Sequence, residues 1–192
     1  IYADYTDQVE SFGLDEAWLD VTGSQHIYGD GLKIANEIRE RVKAEMGVTV
    51  SVGVSYNKIF AKLGSDMQKP DATTVISRDN FKQMVWPLPA GDLLYVGHAT
   101  KRKLARYGIN TIGDIANTDR KFLKSSLGKW GEVLWAFANG YDNSPVIAMG
   151  EETLIKSIGN SITTPRDLKT DEDVQMIFYV LSESVAARMR EH

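Results

Sequence analysis

The sequence contains no cysteine and only three histidines among its 192 residues. The absence of cysteine excludes a disulfide framework and a thiolate metal site. The histidines, His26, His98 and His192, lack the short spacing of zinc ligands, so a zinc centre is not expected. No apolar run reaches the length that spans a membrane, and no stretch has the pattern of a secretory signal. We therefore expect a cytoplasmic protein without a membrane partner.

The composition is that of an ordinary folded protein, with 43% hydrophobic and 25% charged residues. A chain of this length can bury one sizeable core, or two or three small ones. It begins at Ile1 and ends within a helical pattern that runs from Val174 to His192. We expect both ends to be cuts in a longer protein.

The net charge of −4 is distributed unevenly along the chain. Residues 1–47 hold ten acids and four bases, whereas residues 97–130 hold eight bases and two acids. Such asymmetry suggests an acidic site beside a phosphate-binding surface. On charge alone, a solvated helix face explains the basic stretch equally well.

Hydrophobic periodicity divides residues 1–76 into alternating strands and helices. Apolar residues recur at helical spacing from Leu32 to Met46, and alternate at strand spacing from Val48 to Val54. The order predicts an α/β or α+β layer with helices on an antiparallel-type sheet, one edge of which is open. The predicted elements are a strand at Trp18–Val21, a helix at Leu32–Met46, a strand at Val48–Val54, a helix at Asn57–Met67 and a strand at Thr73–Ile76.

After Ile76 the strand signals disappear, and short helical stretches are interrupted by glycine and proline. We predict a small all-helical domain over residues 77–145, a linker over 146–154, and a further unit over 155–192 that the chain does not complete. The core candidates of the helical domain are Ile109, Ile112, Ile115, Phe122, Leu123, Leu127, Trp130, Val133, Leu134 and Phe137.

An acidic pair, Asp15 and Glu16, precedes the first predicted strand. Successive strand side chains point to opposite faces, so the two can share a site only if one of them lies on a turn or bulge. Two carboxylates about 4 Å apart repel by roughly 4 kcal/mol at an effective dielectric near 20. Mg²⁺ removes that cost and suits in-line phosphoryl transfer. Without further context, a solvated strand end explains the pair better.

Three lysines, Lys58, Lys62 and Lys69, lie in a segment that runs from strand into helix. Lysine is a flexible point charge that suits phosphate, and Asn57 can cap the helix. The alternative is that these are surface lysines of an amphipathic helix, and for Lys62 that interpretation is preferred.

Two motifs carry a resemblance to Y-family DNA polymerases of the DinB/UmuC type. Glu10–Asp20 resembles their second catalytic motif, which contains S-x-D-E. Ser51–Pro70 resembles their later palm motif, S-x-G-[IV]-[AS]-x-N-K-x-[LF]-A-K…K-P. The similarity continues through the thumb at Leu88–Asp114 and into the little finger at Lys156–Asn160. It therefore implies an α+β chain: a partial ferredoxin-like palm (1–76), an all-α thumb (77–145), a linker (146–154) and the start of an α+β little finger (155–192).

The resemblance implies roles for particular residues. Asp15 matches a metal-binding aspartate, Glu16 matches the catalytic glutamate beside it, and Lys69 matches a lysine that meets the incoming triphosphate. A site with two Mg²⁺ ions is implied. The family's first motif, which supplies the leading aspartate and a ribonucleotide-excluding aromatic residue, would lie upstream of Ile1, as would the fingers. Gly13 stands where the family usually has serine, which should matter little because that residue is not a ligand.

The segment Leu93–Thr100 resembles the helix-hairpin-helix of the family's thumb. In that motif a glycine turn and the next helix offer backbone N–H groups to phosphates without reading sequence. The residues expected to contact DNA are Gly97, Thr100, Lys101, Arg102 and Lys103.

The implied function is low-fidelity, template-directed DNA synthesis past damaged bases, with this chain an incomplete and inactive segment of the enzyme. Its partners would be primer–template DNA and deoxynucleoside triphosphates, and any sliding-clamp motif would lie outside this sequence. Two alternatives stay open: a non-enzymatic DNA-binding module with a degenerate palm, and a palm of the nucleotide-cyclase type. The joint presence of Asp15, Glu16 and Lys69 counts against the first, and the basic hairpin domain counts against the second.

Overall fold

A computed structural model describes residues 1–151 and 155–191. The chain divides into two compact units, Ile1–Gly150 and Glu151–His192, and each is described by itself. Residues 152–154 of the predicted linker, and His192 at the end of the last predicted helix, lie outside the described residues.

The described residues contain four strands and nine α-helices, besides three short 3-10 turns. The strands are β1 (Val9–Phe12), β2 (Glu16–Leu19), β3 (Val52–Ser55) and β4 (Thr73–Ile76). The helices are α1 (Gln25–Tyr28), α2 (Gly31–Met46), α3 (Lys58–Met67), α4 (Phe81–Val85), α5 (His98–Ala105), α6 (Ile112–Asn117), α7 (Arg120–Leu127), α8 (Lys129–Ala138) and α9 (Asp171–Arg190). This mixture agrees with the α+β class expected from the resemblance.

The first two strands form an antiparallel hairpin in which Phe12 pairs with Glu16. Its three-residue loop starts at Gly13, whose φ of 72° favours glycine over the serine usual in the family. β1 was not predicted, because Glu10 and Ser11 interrupt the apolar pattern of this strand. β2 begins two residues before the predicted strand at Trp18.

The other two strands pair in parallel, so the expected antiparallel-type sheet is wrong in this half. The cause is the connection: a strand–helix–strand unit returns the chain in the same direction, and α3 is such a crossover. β3 also starts only at Val52, four residues after the predicted start at Val48.

The two strand pairs form separate sheets. Within residues 1–150, therefore, β2 and β3 each pair on one edge only. Within this unit each of the four strands pairs with one other strand only, so the expected open edge is confirmed in both sheets.

The helices α2 and α3 end at the predicted residues, Met46 and Met67, and each begins within one residue of its predicted start. Asp30 caps α2 by accepting a hydrogen bond from the Lys33 N–H, and Gly47 ends it with a φ of 70°. Asn57 caps α3 by accepting from the Phe60 N–H. The buried face of α2, formed by Ile34, Ala35, Ile38 and Val42, follows the predicted periodicity.

The main core is continuous across the predicted palm–thumb boundary. Phe60 of α3 is fully buried in one cluster with Leu104 and Leu134 of the helical region. The Asn57 side chain also crosses this boundary and donates to the carbonyl oxygen of Gly140 at 3.0 Å. The boundary at residue 76 stays a prediction, because this compact unit has no break there.

Most core candidates of the helical region are buried or half-buried. Trp130 and Phe122 are exceptions, with 55% and 39% of their surfaces exposed. Their assignment to the core was wrong, since apolar residues at helical spacing also occur at a helix edge.

The start of the predicted linker lies against the hairpin. The Met149 N–H donates to the carbonyl oxygen of Asp7, and the Ile147 N–H donates to Glu10 Oε2 at 2.8 Å. This part of the predicted linker is therefore anchored to β1 and the residues before it.

The second unit contains α9 and, among residues 155–191, no strand. Thr170 caps α9, and Asp173 in its first turn accepts hydrogen bonds from Arg166. The Arg166 guanidinium and the Lys169 N–H lower the pKa of Asp173 to about 2. Across the part of the chain that the structure describes, no helix has the length and hydropathy needed to cross a membrane.

Candidate active site and nucleic-acid interface

The acidic pair lies at the end of the β1–β2 hairpin loop. Asp15 is the last loop residue and is exposed, whereas Glu16 is the first residue of β2. The condition for a shared site is met, because one of the two residues is on a turn.

Both carboxylates line a groove of about 400 Å³ between β2 and β3. Residues of α2 and α3 also line this groove, as do Lys62, Lys69 and Asp71. The structure thus brings together the predicted acidic pair and the predicted phosphate-binding lysine.

A series of ion pairs connects Glu16 to Lys69. Lys62 Nζ lies 2.9 Å from Glu16 Oε1 and 2.6 Å from Asp66 Oδ2. The other carboxylate oxygen of Asp66 lies 2.8 Å from Lys69 Nζ. Positive and negative charges therefore alternate from Glu16 to Lys69.

Lys62 was assigned to the surface, and that assignment was wrong, since only 16% of its side chain is exposed. Burial lowers the pKa of Lys62, but the bonds to Asp66 and Glu16 outweigh burial and raise it overall. Burial likewise raises the pKa of Asp66, while Lys62 and Lys69 bring it below its usual value. Only the i, i+4 spacing of Lys62 and Asp66 gave a sequence signal of this pairing.

Lys58 does not line the groove. Its ammonium pairs with Glu10 and lies 5.1 Å from the centre of the Trp18 ring. The Trp18 indole N–H donates to the backbone oxygen of Lys58 at 3.0 Å. Lys58 therefore connects α3 to the hairpin rather than to a ligand.

The groove offers part of a metal-binding donor set. Asp15 and Glu16 supply carboxylate oxygens, which divalent cations such as Mg²⁺ favour. Among the residues described, no group of three or more histidine, aspartate or glutamate side chains could hold an ion. A further carboxylate would be needed to complete a two-ion site.

In the predicted helix-hairpin-helix, α5 is the second helical stretch. The first is only a 3-10 turn at Ala90–Asp92. Gly97 is the N-cap of α5, and no side chain caps the helix. The first-turn N–H groups can therefore serve a phosphate oxygen.

Lys101, Arg102 and Lys103 are exposed, and Thr100 is half-buried. None of the three cations forms an ion pair with the other residues that the structure describes. Two other cations of the basic stretch, Arg120 and Lys124, pair with Glu132.

Comparison with known proteins covers nearly the whole chain. Residues 1–66 match the impB/mucB/samB family, residues 91–142 match the DNA polymerase-iota thumb domain, and residues 155–192 match the impB/mucB/samB C-terminal domain. Acetivibrio thermocellus DNA polymerase IV is 64% identical over 100% of this chain and 48% of its own length. The Moorella thermoacetica enzyme of the same name is 40% identical over 99% of the chain and 47% of its own length.

The fold of the chain is also similar to solved structures of Y-family DNA polymerases. A Y-family DNA polymerase chimera of Dbh and Dpo4 has a TM-score of 0.79 and 26% identity, covering 96% of this chain and 53% of its own. DinB from Sulfolobus solfataricus has a TM-score of 0.66 and 29% identity, covering 75% of this chain and 43% of its own.

The β1–β2 hairpin lies within the impB/mucB/samB match, and helices α5 to α8 lie within the match to a DNA polymerase thumb domain. The chain belongs to the Y family of DNA polymerases, in its DinB-type branch. It spans about half the length of the curated relatives it matches. Members of this family generally use divalent metal ions. The thumb match at residues 91–142 counts against the nucleotide-cyclase alternative.

Proposed function

We propose that the chain contributes the rear of the palm, the thumb and the start of the little finger to a DNA polymerase that copies damaged templates. The observation that carries the proposal is the single groove shared by Asp15, Glu16 and Lys69. Its substrates would be primer–template DNA and deoxynucleoside triphosphates. The similar Dbh DNA polymerase has been solved as an insertion ternary complex.

Each residue of the groove has a chemical role in this proposal. Asp15 and Glu16 would hold Mg²⁺, which stabilises charge on phosphate oxygens when it is bound. Lys69 would leave Asp66 for the triphosphate, an exchange that costs little because its side chain is 55% exposed. Lys62 would hold Glu16 in position through the contact at 2.9 Å.

The leading aspartate would come from a further strand beside β2 or β3, whose open edges line the groove. Without that carboxylate, each ion would keep more of its water and bind weakly, because Mg²⁺ loses water reluctantly. The 192 residues alone should therefore transfer no nucleotide.

Primer extension by three proteins tests this proposal: the present chain, the chain extended to the length of its curated relatives, and the extended chain with Asp15→Ala. Only the second should extend a primer, with the Asp15→Ala protein at least about 100-fold slower, since it loses electrostatic stabilisation of the reacting phosphate. Activity of the present chain would contradict the incomplete-site argument. Full activity of Asp15→Ala would remove this residue from the site and leave the acidic pair as a solvated strand end.

A second prediction concerns the thumb. Lys101→Ala should weaken duplex binding equally for all sequences and reduce the slope of log affinity against log salt by about 1, because one phosphate contact is lost. Binding measured across a salt series checks this, with the exposed palm residue Lys33→Ala as the matched control. An unchanged slope for Lys101→Ala would assign that lysine to a solvated helix face.

A further inference from the structure

Lys69 lies on a short connection between α3 and β4, and the end of this connection is bonded to α2. Arg39 of α2 donates from Nη2 to the backbone oxygen and to Oδ1 of Asp71, both at 2.7 Å. Only 15% of the Arg39 side chain and 22% of the Asp71 side chain are exposed. We propose that Arg39 is a positioning residue for Lys69, acting through Asp71, and this inference rests on the proposed nucleotide role of Lys69.

The backbone of Asp71 needs this support. Its φ of 54° lies in the left-handed region, which is unfavourable for a residue that carries a Cβ atom. A guanidinium that binds both the backbone oxygen and the side chain favours this conformation over extended alternatives. Both bonds come from Nη2, whose two N–H groups lie in the guanidinium plane and donate to two different oxygens of Asp71.

Arg39 is itself held in place by its neighbours. Its Nη1 donates to Asn36 Oδ1 at 3.3 Å and to Thr73 Oγ1 at 3.4 Å. The Thr73 hydroxyl in turn donates to Asn36 Oδ1 at 2.8 Å. These contacts join α2 to the first residue of β4, and they hold the Arg39 guanidinium in the position from which it binds Asp71.

The other end of the connection is held as well. Asp66 lies in the last turn of α3, and its carboxylate binds Lys69. On the far side of Asp71, the Ala72 carbonyl oxygen accepts from the Val52 N–H at 2.9 Å and so enters the sheet. Lys69 is therefore held on both sides. It contacts Asp66 of α3, and two residues further along the chain Asp71 is held by Arg39.

Lys43 provides a matched control for this contact. Its Nζ lies 2.9 Å from Asp71 Oδ2, the other oxygen of the same carboxylate, but 52% of its side chain is exposed. It makes no hydrogen bond to the Asp71 backbone oxygen among the described residues. A role in charge balance alone would make Lys43 and Arg39 equivalent, whereas a role in positioning the backbone singles out Arg39.

The test is single-nucleotide incorporation by the chain extended to the length of its curated relatives. Arg39→Met keeps the aliphatic stem and should raise the KM for the nucleotide about 5- to 10-fold, with kcat changed less than about twofold. Lys43→Ala should leave both constants near those of the parent. In a Lys69→Ala background, Arg39→Met should have no further effect on KM, because the residue that it positions is gone.

Asp71→Asn is the second variant, since asparagine tolerates the left-handed backbone and keeps one side-chain oxygen. It should raise KM less than Arg39→Met does, and again only when Lys69 is present. An equal KM increase with and without Lys69 would overturn the positioning role. If Lys69→Ala itself left KM unchanged, the nucleotide role of Lys69 in the proposed function would be the part overturned.

Discussion

Gly53→Ala is expected to destabilise the first compact unit by more than about 4 kcal/mol, a loss in the exceptional range for a single substitution. A Cβ atom at Gly53 would overlap the carbonyl oxygen of Ala61 and lie 2.6 Å from the Ser65 backbone nitrogen. Both atoms belong to the backbone of α3, so no side chain can turn away to make room. Gly64 on α3 completes the close approach, since its own Cβ would lie 3.2 Å from the Gly53 Cα.

Chemical denaturation followed by circular dichroism measures this effect. Gly23→Ala is the matched control, because a Cβ at Gly23 meets nothing within 4 Å and its φ is not positive. That variant should unfold at nearly the parent denaturant concentration. A Gly53→Ala protein as stable as the parent would show that β3 and α3 are further apart than the structure places them.

Glu10→Ala should cost about 3 kcal/mol, because it leaves the Lys58 ammonium without its partner in a site where only 11% of that side chain is exposed. The same change removes the acceptor of the Ile147 N–H, so the start of the linker should detach from β1. Hydrogen exchange at Ile147 should accelerate in this variant.

The double variant Glu10→Leu with Lys58→Met separates the two contributions. Replacing both charges by apolar side chains should recover much of the stability, since the unpaired charge is then absent. Exchange at Ile147 should nevertheless stay fast, because its acceptor is still missing. If the double variant did not recover stability, the loss in Glu10→Ala would come from a packing defect and not from the unpaired charge.

The same pair predicts how stability depends on pH. Burial raises the pKa of Glu10, but hydrogen bonds from Lys58 and the Ile147 N–H outweigh it and place that pKa below its usual value. A carboxyl group with a lowered pKa in the folded state stabilises the fold above its unfolded pKa, and loses that effect as pH falls through the folded value. The parent should therefore lose stability more steeply than Glu10→Gln below about pH 4.3.

Several parts of the fold and site could be predicted because their signals are local. The period of α2 and the Asn57 cap of α3 follow from neighbouring residues, whereas the sequence left open whether Asp15 lies on a turn. The parallel pairing of β3 with β4 also follows from the predicted strand–helix–strand order, which the expectation of an antiparallel-type sheet overlooked. β1 was missed because it has no regular apolar alternation. Lys62 was assigned to the surface because its partner Glu16 lies 46 residues away in sequence. The Arg39–Asp71 contact, which spans 32 residues, has no sequence pattern at all.

The shared core of palm and thumb has a consequence for movement along DNA. Phe60 follows the Asn57 cap of α3 and is buried with Leu104 of α5, so the helix that carries Lys62 and the helix of the basic hairpin pack into the same interior. Close-packed interiors transmit displacement and do not absorb it. In the proposed function α5 holds the duplex and Lys69 holds the nucleotide, so these two ligands should keep a constant spacing through a synthesis cycle. Advancing by one base pair would then require release and rebinding of the phosphates at the hairpin, with no flexing between palm and thumb.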